Sequence, residues 1–344
     1  MTKPKVFIAQ PIPDVALDIL RDAADVTVYP YMDRQISVAE LAAGARNSDW
    51  LFVMHETNVT AEVLAANPQL QGIGALAKFD PCIDLDAARR YRIPIIVEDP
   101  ADNAFGGVSL TTADLTVGML LGLAYRIVES DRYTRCGKFR QEQTMALMGL
   151  GCLGKTVGLI GMGKVAEYMV PRLKAFGLRV IYTKRTRLDP ALEMGLGIDW
   201  CAHLDDLLAT SDFVCVACDY NASTHKLIGR RELDLMRPSA FLINTARGRI
   251  VDERELVLAL QEKRIAGAAL DVYWNEPPHT LDPSVPDALC ALENVILAPH
   301  NGGATVDVRR HRTSEVARFM VQMMKTGRAP HILNPEVLAQ PHVS

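Results

Sequence analysis

Six residues, Gly161-Met162-Gly163-Lys164-Val165-Ala166, stand between the apolar run Thr156-Val157-Gly158-Leu159-Ile160 and a helical stretch from Tyr168 to Phe176. A strand, a tight glycine turn and a helix start, in that order, form a cradle for a dinucleotide pyrophosphate. Gly161 permits the turn, Gly163 lets the backbone approach the phosphates, and the helix N-terminus offers free N–H groups and a positive dipole. Ala166 in the third small position still allows close helix–strand packing. The surrounding chain reads the same way. Short β-rich runs alternate with helical patterns throughout, which argues for an α/β fold of parallel sheets covered by helices.

In the first hundred residues the expected strands are Val6–Ala9, Val26–Tyr29, Leu51–Met54, Gly72–Ala77 and Ile95–Val97. One intervening helix opens on the capping-box pattern Ser37-Val38-Ala39-Glu40. A single long apolar helix is expected from about Thr111 to Cys136. A second α/β series follows, with strands at Val157–Ile160, Val180–Tyr182, Phe213–Ala217, Phe241–Asn244, Ala268–Leu270 and Val295–Leu297, and a closing helix covers Thr305 to Met324. Two series separated by a long helix indicate two domains, and the closing helix is expected to return to the first. The Pro-rich stretch Glu276 to Pro286 reads as a surface loop.

The tip of the strand ending at Tyr182 bears on the choice of dinucleotide. An NAD-preferring site would carry Asp or Glu there to hydrogen-bond the ribose 2′-hydroxyl. This chain has Thr183-Lys184-Arg185-Thr186-Arg187, with its first acid only at Asp189. Lys184, Arg185 and Thr186 suit a 2′-phosphate, which a carboxylate would repel. The expected cofactor is therefore NADP(H) rather than NAD(H).

With 344 residues, 49% of them hydrophobic, the chain has material for two cores. A net charge of −4 gives no electrostatic case for a nucleic-acid or anionic-membrane partner. The start, Met1-Thr2-Lys3-Pro4, shows no signal-peptide core, and no apolar run is expected to reach the roughly 18–20 residues that span a bilayer. Seven cysteines scattered through apolar segments point to reduced thiols in a cytoplasm. Cys215-Val216-Ala217-Cys218 has redox or zinc spacing but lies in an apolar run without a second ligand pair, so burial is expected and no metal site.

From about residue 70 to 335 the chain resembles the D-isomer-specific 2-hydroxyacid dehydrogenase family. The blocks that carry the resemblance are Leu153-Gly154-Lys155-Thr156-Val157-Gly158 before the glycine turn and Asn244-Thr245-Ala246-Arg247-Gly248-Arg249-Ile250-Val251-Asp252. Two more follow: Ala269-Leu270-Asp271-Val272-Tyr273-Trp274-Asn275-Glu276-Pro277 and Ala298-Pro299-His300-Asn301-Gly302-Gly303-Ala304. The resemblance implies two doubly wound parallel-sheet domains. A Rossmann nucleotide domain (105–303) would be inserted, between two linking helices, into a discontinuous flavodoxin-like substrate domain (1–104 plus 304–344). It also implies a homodimer built largely through the nucleotide domains.

Reducing a 2-keto acid requires a hydride, a proton for the developing alkoxide and a cation for the carboxylate. His300 is the candidate acid–base, since imidazole titrates near working pH. Glu276 is its expected partner, a carboxylate that favours the charged ring. Arg247 matches the family arginine that grips the substrate carboxylate and polarises the carbonyl. An acidic residue at 276 argues against formate dehydrogenase chemistry, in which that partner is an amide. The same matching puts Gly161, Gly163, Lys164 and Val165 at the pyrophosphate. It puts Thr112 and His300 beside the nicotinamide half, with Thr245 and Asp271 on its ring and carboxamide, although Asp271 also reads as a strand-end cap.

The substrate loop departs from the family. Ala75-Leu76-Ala77-Lys78-Phe79-Asp80-Pro81-Cys82-Ile83-Asp84 lacks the usual glycines, whose backbone would approach the substrate carboxylate. Lys78 is the candidate compensating contact. Phosphite dehydrogenases resemble this family and also carry a lysine in this loop. The expected activity is NADP(H)-dependent reduction of glyoxylate, hydroxypyruvate or a bulkier 2-keto acid. A dinucleotide-sensing protein, like the corepressors built on this scaffold, and a phosphite dehydrogenase are the alternatives.

Overall fold

The short β-rich runs form strands in the computed structural model, and among the described residues every pairing between these strands is parallel. The structure describes residues 2–76, 82–101, 107–276, 280 and 283–338. The chain divides into two compact units: Met1–Phe105 with Val306–Ser344, and Gly106–Thr305.

In the first unit β1 (Lys5–Ile8), β2 (Asp25–Val28), β3 (Trp50–Val53), β4 (Gly72–Ala75) and β5 (Ile95–Val97) lie in the order β2-β1-β3-β4-β5, the flavodoxin-like arrangement. β3 and β4 are buried along their whole length, as parallel strands covered on both faces must be. The closing helix, Val306–Thr326, belongs to this unit. It packs on β4, β5 and the helix Asp14–Ala23, with Val316, Ala317 and Met320 fully buried. The capping box at Ser37 forms: its hydroxyl accepts from the Glu40 N–H while the Glu40 carboxylate accepts from the Ser37 N–H.

The second unit contains β6 (Thr156–Ile160), β7 (Arg179–Thr183), β8 (Asp199–Trp200), β9 (Phe213–Val216), β10 (Phe241–Asn244), β11 (Gly267–Leu270) and β12 (Val295–Leu297). Their order is β12-β11-β10-β9-β6-β7-β8, a doubly wound Rossmann sheet with one extra edge strand. The strand order reverses between β6 and β9. In such sheets ligands bind outside the carboxyl ends of the strands at that reversal. Gly161 stands there, immediately after β6.

Three details differ from the sequence reading. The expected helix from Thr111 to Cys136 is two helices, Gly107–Ala124 and Ile127–Arg135, because Arg126 adopts a left-handed conformation (φ 52°) that no helix continues through. β8 has only two residues, too few for a periodic signal. The helix Gly107–Ala124 is also long and apolar enough, by length and composition, to cross a membrane (18 residues, mean hydropathy 1.4). That overturns the expectation of no such run. Here it packs against the helix Lys164–Ala175 and strands β10–β12, burying Ala113, Val117, Leu120 and Leu123 in the unit's core.

Candidate active site

Because all seven strands of the second sheet are parallel, their carboxyl ends share one edge. The glycine turn (after β6), the basic turn (after β7), Thr245 and Arg247 (after β10), Asp271 and Glu276 (after β11) and His300 (after β12) all follow strands at that edge.

At the glycine turn, Gly161 has φ +101°, and a Cβ there would come within 2.5 Å of the Ala217 carbonyl oxygen. Any other residue would be strained twice over. Gly163 is the N-cap of the helix Lys164–Ala175, with no side-chain cap on the first-turn N–H groups, and a Cβ on it would meet nothing within 4 Å. Open space beside uncapped helix N–H groups fits a pyrophosphate. Lys164 is exposed, 3.5 Å from Glu167, and Val165 packs partly into the core.

The basic turn divides its charges. Arg187 is committed: it pairs with Glu193 at 2.7 Å and lies 5.0 Å from the Trp200 ring centroid. The Tyr182 hydroxyl donates to the same carboxylate and accepts the Leu188 N–H at 2.9 Å. The Arg187 guanidinium, with help from Tyr182, holds the Glu193 carboxyl down at about 2. Lys184 and Arg185 have no hydrogen bond or ion pair among the described residues, and Arg185 and Thr186 are exposed.

At the other end of the sheet, His300 Nδ1 lies 3.0 Å from Glu276 Oε2. Glu276 is 6% exposed, whereas the imidazole is 44% exposed. The hydrogen bond to Glu276 raises the His300 pKa above its ordinary value, against burial. Arg247 is exposed and in no ion pair among the described residues, yet its charge is near enough to oppose protonation of His300. The structure therefore brings imidazole, carboxylate and guanidinium into one electrostatic neighbourhood.

His300 has φ 55°, an uncommon conformation for a residue with a Cβ. Asp271 holds the chain that follows: Oδ1 accepts the Asn301 N–H at 2.7 Å and Oδ2 the Gly302 N–H at 2.9 Å. Hydrogen bonds to an ionised group contribute about 1.5–3 kcal/mol each. Two of them outweigh a backbone strain of about 1–3 kcal/mol. Asp271 is 1% exposed, and burial pushes its carboxyl up despite the two amides. The strand-end cap is thus present. The Tyr273 hydroxyl adds a bond to the Ala298 carbonyl at 2.8 Å, just ahead of Pro299-His300.

Several supports escaped the sequence reading. Asn244 organises the loop before Arg247: its amide donates to the Arg247 carbonyl at 3.0 Å and its Oδ1 accepts the Ala246 N–H at 3.1 Å. Glu253 accepts the Trp274 N–H at 3.2 Å, two residues before Glu276. Thr116 lies 2.7 Å from Thr245, Oγ1 to Oγ1. Thr112 donates to the Val108 carbonyl at 2.8 Å and packs so closely on Gly302 that a Cβ there would lie 2.7 Å from its hydroxyl. The Asn244 bonds are local, whereas Glu253–Trp274, Thr116–Thr245 and Thr112–Gly302 span gaps in sequence that periodicity does not register. Lys78 and Pro277 lie outside the described residues. All seven cysteines are free thiols. Burial pushes Cys215 up to about 12 and Cys218 up to about 11, so neither is a reactive thiolate.

A family profile described as "D-isomer specific 2-hydroxyacid dehydrogenase, NAD binding domain" matches residues 117–302. The glyoxylate reductase of Thermococcus gammatolerans is 36% identical over 341 residues, covering 98% of this chain and 97% of that protein. A crystal structure of a Thermus thermophilus protein superposes with a TM-score of 0.79 at 31% identity, covering 96% of this chain and 99% of the other. An NADPH-dependent glyoxylate/hydroxypyruvate reductase from Sinorhizobium meliloti, crystallised with citrate, superposes with a TM-score of 0.74 at 28% identity over 96% of this chain and 98% of its own.

Proposed function

The chain belongs to the D-isomer-specific 2-hydroxyacid dehydrogenase family and is an NAD(P)-linked 2-hydroxyacid dehydrogenase, and on that premise we propose that it reduces a small 2-keto acid, glyoxylate or hydroxypyruvate, with NADP(H) preferred over NAD(H). The observation that carries the reading is the 3.0 Å His300–Glu276 pair, with Arg247 within electrostatic reach, at the ligand-binding edge of the sheet.

The bound nicotinamide coenzyme supplies the hydride. His300 supplies the proton: Nδ1 faces Glu276, so Nε2 is the atom left to donate to the substrate oxygen. Glu276 keeps the ring loaded, and Arg247 receives the substrate carboxylate through paired N–H donors. Asp271 fixes the turn that carries the imidazole. Gly161, Gly163, Lys164 and Val165 receive the pyrophosphate. Thr112, Thr245, Asp271 and His300 border the nicotinamide half. Lys184, Arg185 and Thr186 receive the 2′-phosphate, and the preference for NADP(H) rests on two cations unpaired among the described residues and on a strand tip without an acid. Lys78 is proposed as a second cation toward the substrate.

Exposed apolar side chains between residues 125 and 153, among them Tyr125, Ile127, Phe139, Met145, Met148 and Leu153, support a homodimer formed through the nucleotide-binding unit. The free thiols support a cytoplasmic setting.

The test is to mix the purified protein with NADPH or NADH and a panel of 2-keto acids, and separately with NADP⁺ and phosphite. Oxidation of NADPH by glyoxylate or hydroxypyruvate is expected. Cofactor binding without turnover of any substrate would favour a sensing protein, and phosphite-dependent reduction of NADP⁺ would favour a phosphite dehydrogenase.

A further inference from the structure

Two hydroxyls in the second unit settle each other's orientation. Thr116 Oγ1 lies 2.7 Å from the Thr112 carbonyl oxygen and 2.7 Å from Thr245 Oγ1. A carbonyl has no hydrogen to give, so the first contact is attractive only if the Thr116 hydroxyl donates to it. Thr116 has one such hydrogen. The second contact is then attractive only if Thr245 donates to Thr116. Thr116 is 1% exposed and Thr245 9% exposed, so water does not offer an easy alternative. Thr245, its hydrogen committed, turns only lone pairs toward anything else.

Thr245 follows β10 as Asp271 follows β11, and Asn244 pairs with Leu270 in the register of those strands. The two residues therefore stand side by side at the carboxyl edge. Asp271 accepts one backbone N–H on each carboxylate oxygen, which leaves further lone-pair capacity and no donor. The neighbouring positions are thus both acceptors. A primary amide nitrogen, with two N–H groups, matches them; a carbonyl oxygen in the same place would face lone pairs.

We infer that Thr116 is a positioning residue for the coenzyme: by holding the Thr245 hydroxyl as an acceptor, it makes this edge select the NH₂ end of the nicotinamide carboxamide. The inference rests on the proposed placement of Thr245 and Asp271 at the nicotinamide. Thr116 reaches the coenzyme only through Thr245.

The test is equilibrium binding by calorimetry, comparing NADPH with its reduced 3-acetylpyridine analogue, in which a methyl replaces the amide NH₂. The wild type is expected to bind NADPH about 100-fold more tightly than the analogue, the scale of one neutral hydrogen bond, to Thr245, and one to the Asp271 carboxylate. T116V keeps the shape but frees the Thr245 hydroxyl to rotate and donate, so the ratio is expected to shrink about fivefold, the Thr245 share, while Asp271 keeps the rest. T116S, which keeps the hydroxyl, is expected to retain the wild-type ratio. A wild-type ratio in T116V, or a loss in T116S as large as in T116V, overturns the hydroxyl relay. T245V separates the two levels of argument. If it leaves both affinities unchanged, the placement of Thr245 at the nicotinamide is itself wrong. If it collapses the ratio while T116V does not, only the role of Thr116 falls.

Discussion

The two halves of the seven-stranded sheet prepare the same edge in opposite ways. After β6 and β7 the chain presents open groups: a glycine with free space where a side chain would be, uncapped helix N–H groups, and two cations, Lys184 and Arg185, that are unpaired among the described residues. After β10, β11 and β12 nearly every polar group is held by another. Asp271 grips two amides, Tyr273 a carbonyl, Glu276 the imidazole, and Thr116 the Thr245 hydroxyl. The open half suits a ligand whose charges supply the missing partners. The locked half suits chemistry, where a misplaced proton donor costs more than a weak contact.

That contrast is most strongly challenged in the locked half. His300→Asn should lower kcat for keto-acid reduction by about 10²–10⁴, the range for a general acid, while leaving NADPH affinity within about twofold. Steady-state kinetics with a binding titration check this, and a comparable loss of affinity would mean that His300 serves binding rather than chemistry. In the open half, Arg185→Glu should raise KM for NADPH by at least about tenfold, as expected for a lost charge-assisted bond. KM for NADH should stay within about twofold, and equal losses for both would remove the 2′-phosphate assignment. The smallest effect belongs to the one committed cation of that turn. Arg187→Ala should lower the melting temperature modestly and leave the NADPH/NADH ratio unchanged; a changed ratio would show that Arg187 also reads the phosphate.

The same division explains what the sequence disclosed. The glycine turn, the basic turn and the strand cores depend on local composition, so the strand–turn–helix–strand order of residues 156–187 is legible in the sequence. β5, β10 and β12 fell where their apolar runs placed them. The break at Arg126 was not legible, because an arginine in a left-handed conformation leaves no compositional mark of the kind glycine leaves. Nor were the locks of the second half. Thr116 and Thr245 are 129 residues apart and Asp271 and Gly302 31 apart, and only the packing of the helix Gly107–Ala124 on β10 and the parallel register of β11 with β12 bring these pairs together. His300, Glu276 and Arg247 are recognisable only through the family blocks. Their joint electrostatics became visible only in the folded unit.

The pH profile of Glu276→Gln tests the central claim most directly. In the native protein the carboxylate raises the imidazole pKa, so the proton donor stays loaded to higher pH and reduction fails only as pH rises through that raised value. Replacing the carboxylate with an amide removes the charge that favours imidazolium. The alkaline limit of kcat/KM for reduction should then move to lower pH. An alkaline limit that stays in place would contradict the account and take Glu276 out of the mechanism.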